Sequence, residues 1–296
     1  MLESSRMRPL RSKKFLTLLV FVVAGLGFST AVLASNGPPP PAKASPRAAH
    51  RLVAAAPKPA AKSIPSSRRF AVIIGIDYDH YDFGAVRYAD HDAASVYQML
   101  TTEMGFPRQN IAYLINGQAT GANIISALNW ISTNPAAVSG SEVVFFYSGH
   151  GLRNGPGDGL DIPGLSPGYA LVPFDFYNFN YKTGAGLIWD WDVAARLGKI
   201  HPAKMWVSFD SCFSGGFIRP GITGPNRVVT ASSQADQLSN ELPQARHGVF
   251  SNFMDGGVAM GMSVEQAYLQ AYPRSLPYSQ TPQISDEYPG GLQLGQ

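Results

Sequence analysis

Ser141-Glu-Val-Val-Phe-Phe-Tyr-Ser-Gly-His-Gly151 decides the fold. Its first seven residues, rich in valine and aromatic side chains, read as a buried strand that runs into glycines on either side of His150. Arg69-Phe-Ala-Val-Ile-Ile-Gly-Ile76 upstream has the same character, and Asn110 to Ile115, Met205 to Asp210 and Val228 to Ala231 supply further strands. Helical spacing appears between them. Ala85 to Glu103 places Ala89, Ala93, Val96 and Leu100 on one face, and Thr120 can cap a helix carrying Ile124, Ile125, Leu128 and Ile131. Trp191 to Leu197 and Ser263 to Tyr272 read as two more helices. Strands alternating with helices predict an α/β fold, a mostly parallel sheet with helices on both faces in three αβα layers. Ligand and catalytic groups in such sheets sit at the carboxyl ends of the strands.

Two of those ends are chemically loaded. One strand runs into Tyr147-Ser-Gly-His-Gly151, the other into Asp210-Ser-Cys-Phe-Ser-Gly-Gly216. A histidine and the chain's single cysteine therefore leave strands of one sheet at the same edge. Glycines beside both let backbone come close to a substrate. An ionised thiol is a strong nucleophile, and a neighbouring imidazole can take its proton and later return it to a leaving amine. Alone, a cysteine reads as a small core residue and a histidine as a satisfied polar one. Together at paired strand exits they point to a thiol hydrolase.

Composition narrows the field. The 296 residues are 45% apolar, and one cysteine excludes a disulfide scaffold or a cysteine zinc cluster. The net charge of +3 conceals a division. Residues 1–66 hold ten Lys/Arg and one acid, whereas residues 67–296 hold thirteen Lys/Arg and nineteen Asp/Glu. The folded part is acidic, which argues against a nucleic-acid partner. Arg6, Arg8, Arg11, Lys13 and Lys14 precede an uncharged, mostly apolar stretch and the small-residue site Val32-Leu33-Ala34. Residues 1–34 accordingly read as a signal peptide, or an uncleaved anchor, for an extracytoplasmic (periplasmic or secreted) protein. Residues 35–66, rich in Ala and Pro, read as a flexible linker, and residues 67–296 as one domain. Membrane contact is expected only through the N-terminal segment if uncleaved.

The two loaded segments resemble the His and Cys motifs of caspase-like cysteine peptidases of family C14, most closely the metacaspases and their bacterial orthocaspase relatives. Val86 to Ala93, Val228 to Asp236 and His247 to Ser251 resemble further parts of that family, so the likeness covers about residues 69–290. It implies a caspase-like sheet, Cys212 as nucleophile, His150 as general acid/base, and an oxyanion hole from the N–H groups of Gly151 and Cys212. It also implies a substrate pocket containing Asp92, Ser148 and Asp210. Caspases select Asp with Arg and Gln, whereas here Asp210 stands two residues before the nucleophile. Two carboxylates repel an acidic side chain and pair with a basic one, so cleavage after Arg or Lys of protein or peptide substrates is expected.

The sequence also departs from the family. Phe213 stands where metacaspases commonly have His. Only Asp158 and Asp161 follow His150 as calcium ligands, against the roughly six oxygens such a site takes. The chemistry needs no cofactor; calcium activation is left open. The stretch Phe217 to Arg227 is too short for an excised linker, which predicts a monomeric, single-chain enzyme. A silent interaction module of the cell envelope, or a legumain-like or gingipain-like peptidase, is the alternative. Gly164-Leu-Ser-Pro-Gly168 fits a serine-hydrolase pattern, but Pro167 lacks the N–H that its oxyanion hole uses, so it reads as a loop. Asp77, Asp79, His80 and His91 read as surface residues rather than a metal site, and Trp189, Trp191 and Trp206 as packing residues.

Overall fold

The computed structural model describes residues 63–78, 86–155, 160–178, 180 and 182–296. The leader, the linker up to residue 62, Asp79, His80 and Asp158 lie outside the described residues. Six strands form the main sheet in the order β11-β8-β7-β3-β1-β2. They are β1 (Arg69–Gly75), β2 (Ile111–Ile115), β3 (Glu142–Ser148), β7 (Lys204–Asp210), β8 (Arg227–Ala231) and β11 (Gln283–Asp286). All neighbours run parallel except β11, which pairs antiparallel with β8. The expected mostly parallel sheet is therefore present.

Alternation along the strands builds both layers. Val143, Phe145 and Tyr147 of β3 pack on one face with α2 (Gly121–Thr133) and α3 (Asp190–Leu197). Val144 and Phe146 pack on the other with α1 (Ala89–Thr102), α4 (Val249–Ala259) and α5 (Val264–Ser275). Thr120 caps α2 as its sequence suggests, accepting the Asn123 N–H at 3.2 Å. At the amino-terminal end of the sheet, Glu142 pairs with Arg69 at 3.0 Å and Lys204 at 3.4 Å. Both cations also bond carbonyls of the C-terminal residues Gln293 to Gln296.

Several elements differ from the sequence expectation. The helix expected from Ala85, which lies outside the described residues, begins at Ala89, because Arg87 and Tyr88 give their N–H groups to Glu241 Oε1 at 2.8 and 2.9 Å. Asp77 is half-buried and accepts the Asp90 N–H at 3.1 Å, which makes it a partner of that helix start rather than a solvated surface residue. Helix α4 escapes sequence reading because Gly256-Gly257 reads as a turn. A second sheet of β4 (Gly151–Asn154), β5 (Gly168–Leu171) and β6 (Ile188–Trp189) follows His150, and β9 (Glu241–Leu242) pairs with β10 (His247–Gly248). Ser166 lies exposed in the loop before β5. Trp206 is fully buried, and Trp189 stacks on Trp191 with ring centroids 4.8 Å apart.

Candidate active site

Strands β3 and β7 lie in register with Ser148 opposite Asp210, so His150 and Cys212, each two residues on, leave the same edge. The Gly149 N–H reaches the Asp210 carbonyl at 3.2 Å. A Cβ on Gly151 would overlap the Cys212 carbonyl oxygen, so glycine is what lets the chain after His150 close onto the cysteine backbone.

The histidine is held from several sides. Tyr78 lies against its ring with centroids 4.4 Å apart. The Tyr147 hydroxyl donates to the His150 carbonyl at 2.7 Å, and the Val172 N–H reaches the same oxygen at 3.2 Å. Both tyrosine hydroxyls also bond the Val172 carbonyl, which fixes the start of β4 against the end of β5.

Cys212 is half-buried. Its sulfur accepts the Ser239 N–H at 3.4 Å. Burial first, and then the nearby Asp210 charge, push its thiol up to about 11, which favours the protonated form. The next residue, Phe213, takes the left-handed conformation with φ of 60°, which turns the chain away from Cys212 into a short 3-10 turn. The Arg153 guanidinium sits 5.3 Å from the Phe213 ring centroid.

Beside the sulfur is a cleft of about 30 Å³ lined by Asp92, Ser148, Asp210, Cys212, Ser239 and Glu241. The three residues expected in a substrate pocket therefore line one cleft with the cysteine. Ser148 Oγ donates to Asp92 Oδ2 at 2.8 Å, and His247 Nδ1 lies 2.8 Å from Asp92 Oδ1. Asp210 Oδ2 accepts the N–H and hydroxyl of Ser251 at 3.0 and 2.8 Å, and its Oδ1 accepts the Ser239 hydroxyl at 2.8 Å. Gly248 packs over both carboxylates, and a Cβ there would collide with Asp210 Oδ2. Burial, reinforced by the Asp210 charge, lifts the Asp92 carboxyl to about 7.

Sequence reasoning missed Ser239, Glu241, His247 and Ser251 as parts of this site. The one signal, for His247 and Ser251 alone, was the likeness of that segment to a family segment, which named no role. Asp161 is exposed, away from any ligand set, and among the described residues no three His, Cys, Asp or Glu side chains converge as a metal site.

A family model described as metacaspase, peptidase C14 domain, matches residues 69–219. Metacaspase-1A of Aspergillus oryzae is 28% identical over 208 residues, covering 67% of this chain and 46% of that protein. Metacaspase-9 of Arabidopsis thaliana is 27% identical over 202 residues, 64% of this chain and 57% of its own length. Metacaspase-4 of Arabidopsis thaliana is 34% identical over 156 residues, 50% of this chain and 34% of its own length. The chain thus spans about half the length of the curated relatives it matches. Among solved structures, protein GSU0716 from Geobacter sulfurreducens superposes with a TM-score of 0.53 at 20% identity, covering 74% of this chain and 92% of that one, a likeness of fold. A cysteine and a histidine at paired strand exits, in the order and setting of the matched domain, lead to one conclusion: the chain belongs to the metacaspase family of peptidase C14 domains.

Proposed function

We propose that the chain is a cysteine endopeptidase that cleaves after Arg or Lys. The observation that carries this reading is the pair of buried carboxylates, Asp92 and Asp210, in the cleft that Cys212 lines. A guanidinium or ammonium entering there meets two acceptors already oriented by serine and histidine partners, whereas an acidic side chain meets like charge.

In the first step the thiol proton passes to His150 as Cys212 Sγ bonds to the scissile carbonyl carbon. The carbonyl electrons move to oxygen, and the N–H groups of Gly151 and Cys212 receive the oxyanion. One such donor is worth about 3 kcal/mol. Collapse breaks the carbon–nitrogen bond, and His150 returns the proton to the departing amine. Water, deprotonated by the same imidazole, then releases the acid product and the free thiol. The leader at residues 1–34 supports an extracytoplasmic setting for this chemistry.

The test is a set of fluorogenic peptides ending in Arg, Lys or Asp, with and without calcium. Arg and Lys reporters are expected to be cut at least tenfold faster than Asp. Cys212→Ala is expected to abolish turnover, and His150→Ala to reduce it by two orders of magnitude or more. Faster cleavage after Asp would overturn the pocket assignment, and unchanged activity in Cys212→Ala the nucleophile.

A further inference from the structure

The cleft and the nucleophile share one residue. Ser239 gives its hydroxyl to Asp210 Oδ1 at 2.8 Å and its N–H to Cys212 Sγ at 3.4 Å. The same hydroxyl lies 2.9 Å from Ser232 Oγ, and Ser232 accepts the Ser211 N–H at 3.1 Å. The Asp210 carboxylate, its serine anchor and the backbone leading into Cys212 are thus joined in one buried polar network. Ser239 also lies beyond residue 219, where the family match ends.

This arrangement sets the nucleophile beside negative charge. Asp210 and Asp92 face it from the cleft with Glu241, and Asp255 stands behind them on α4. His150 leaves the adjacent strand exit, the Tyr147 hydroxyl donates to its carbonyl at 2.7 Å, and His247 touches Asp92 from β10. A carboxylate close to a thiol opposes loss of its proton, and a cation seated on that carboxylate removes the opposition. Burial magnifies the effect, because charges interact more strongly away from water.

We propose that cation binding in the acid cleft activates Cys212, with Ser239 as the positioning residue that joins Asp210 to the sulfur. This rests on the reading that the cleft takes a basic side chain. A basic residue would then act twice, once in binding and once by easing transfer of the Sγ proton to His150. The raised thiol fits this scheme, since a protonated cysteine is the weaker nucleophile.

The single cysteine makes the test direct, because alkylation by iodoacetamide reads Cys212 alone. The full chain is alkylated across a pH series with millimolar ethylguanidinium, with ethylurea as the uncharged control. Competition of ethylguanidinium against an Arg reporter is measured in parallel. The expected result is a downward shift of about one pH unit in the alkylation profile with ethylguanidinium only, or about tenfold faster labelling at pH 7.5. Ser239→Ala is expected to lose most of that shift and Ser239→Thr to keep it, with similar thermal unfolding midpoints. If ethylguanidinium competes with the Arg reporter yet leaves the alkylation profile unmoved, the coupling is overturned while the basic specificity stands. An unchanged shift in Ser239→Ala overturns the role of Ser239. If the cation neither competes nor accelerates, the basic cleft and the coupling fall together.

Discussion

On the proposed basic specificity, Asp92 is the residue at which pH and substrate choice meet. It is almost completely buried and its carboxyl sits at about 7, chiefly because burial disfavours the charged form. Below pH 7 it is neutral and the cleft holds one charge fewer; above, it is ionised. The ratio of kcat/KM for an Arg peptide to that for its uncharged citrulline isostere should therefore rise through about pH 7, by about tenfold. In Asp92→Asn the ratio should be lower and nearly flat with pH. A ratio that stays flat in the unaltered enzyme would show that Asp92 does not face the bound cation. Asp92, Ser148 and Asp210 were legible only through the resemblance of their segments to the caspase-like family; the fold places two of them at strand ends and the third in the first turn of α1. Ser239 and Glu241 were not, since one lies in the irregular return after β8 and the other in the two-residue β9. Nothing in their local composition marks them, and only the fold brings them to Cys212.

At the scale of elements, the connection from the short turn after Cys212 to β8 is fastened along its length. Phe217 and Ile222 are fully buried, and Arg219 pairs with the buried Asp190 of α3. The Arg227 guanidinium donates to the carbonyls of Gly221, Ile222, Leu197 and Ile200 at 2.6 to 3.0 Å. A segment tied down in this way presents no extended strand to a protease, and cutting it would loosen Gly221 and Ile222, two of the four acceptors of Arg227. Intact chain should accordingly carry full activity. Titration of active sites in preparations with no cleaved chain checks this, and activity that appears only with a cut in residues 217–227 would contradict it. The strands and helices around this connection were largely legible from apolar spacing. The antiparallel β11, the second sheet after His150 and the two-residue pair β9–β10 were not. Such short elements owe their conformation to neighbours rather than to their own sequence.

For the molecule as a whole, acids buried at the carboxyl end of the sheet link stability to pH. Burial lifts Asp77 and Asp92 to about 7 and raises Glu241 and Asp255. Asp255 is the extreme case, with neither carboxyl oxygen hydrogen-bonded among the described residues. Each of these groups holds its proton more tightly folded than unfolded, so the stability it contributes is present below about pH 4 and is lost as pH rises through the folded value. Thermal unfolding should have a higher midpoint at pH 5 than at pH 8, by several degrees at about 2–4 °C per kcal/mol for a protein of this size. Asp255→Asn should flatten that slope; a midpoint that rises from pH 5 to pH 8 would contradict it. The opposite end of the sheet has a different consequence. Strands β1, β3 and β7 each have seven residues and pair without offset, from the row Arg69, Glu142, Lys204 to the row Gly75, Ser148, Asp210. One extra residue in β3 or β7 would slide its motif about 3.3 Å past its neighbour and send each following side chain to the wrong face. No rotamer change could repair that. The spacing of Cys212 and His150 is kept by counting residues from an ionic row about 20 Å away, so loops can absorb insertions that these strands cannot.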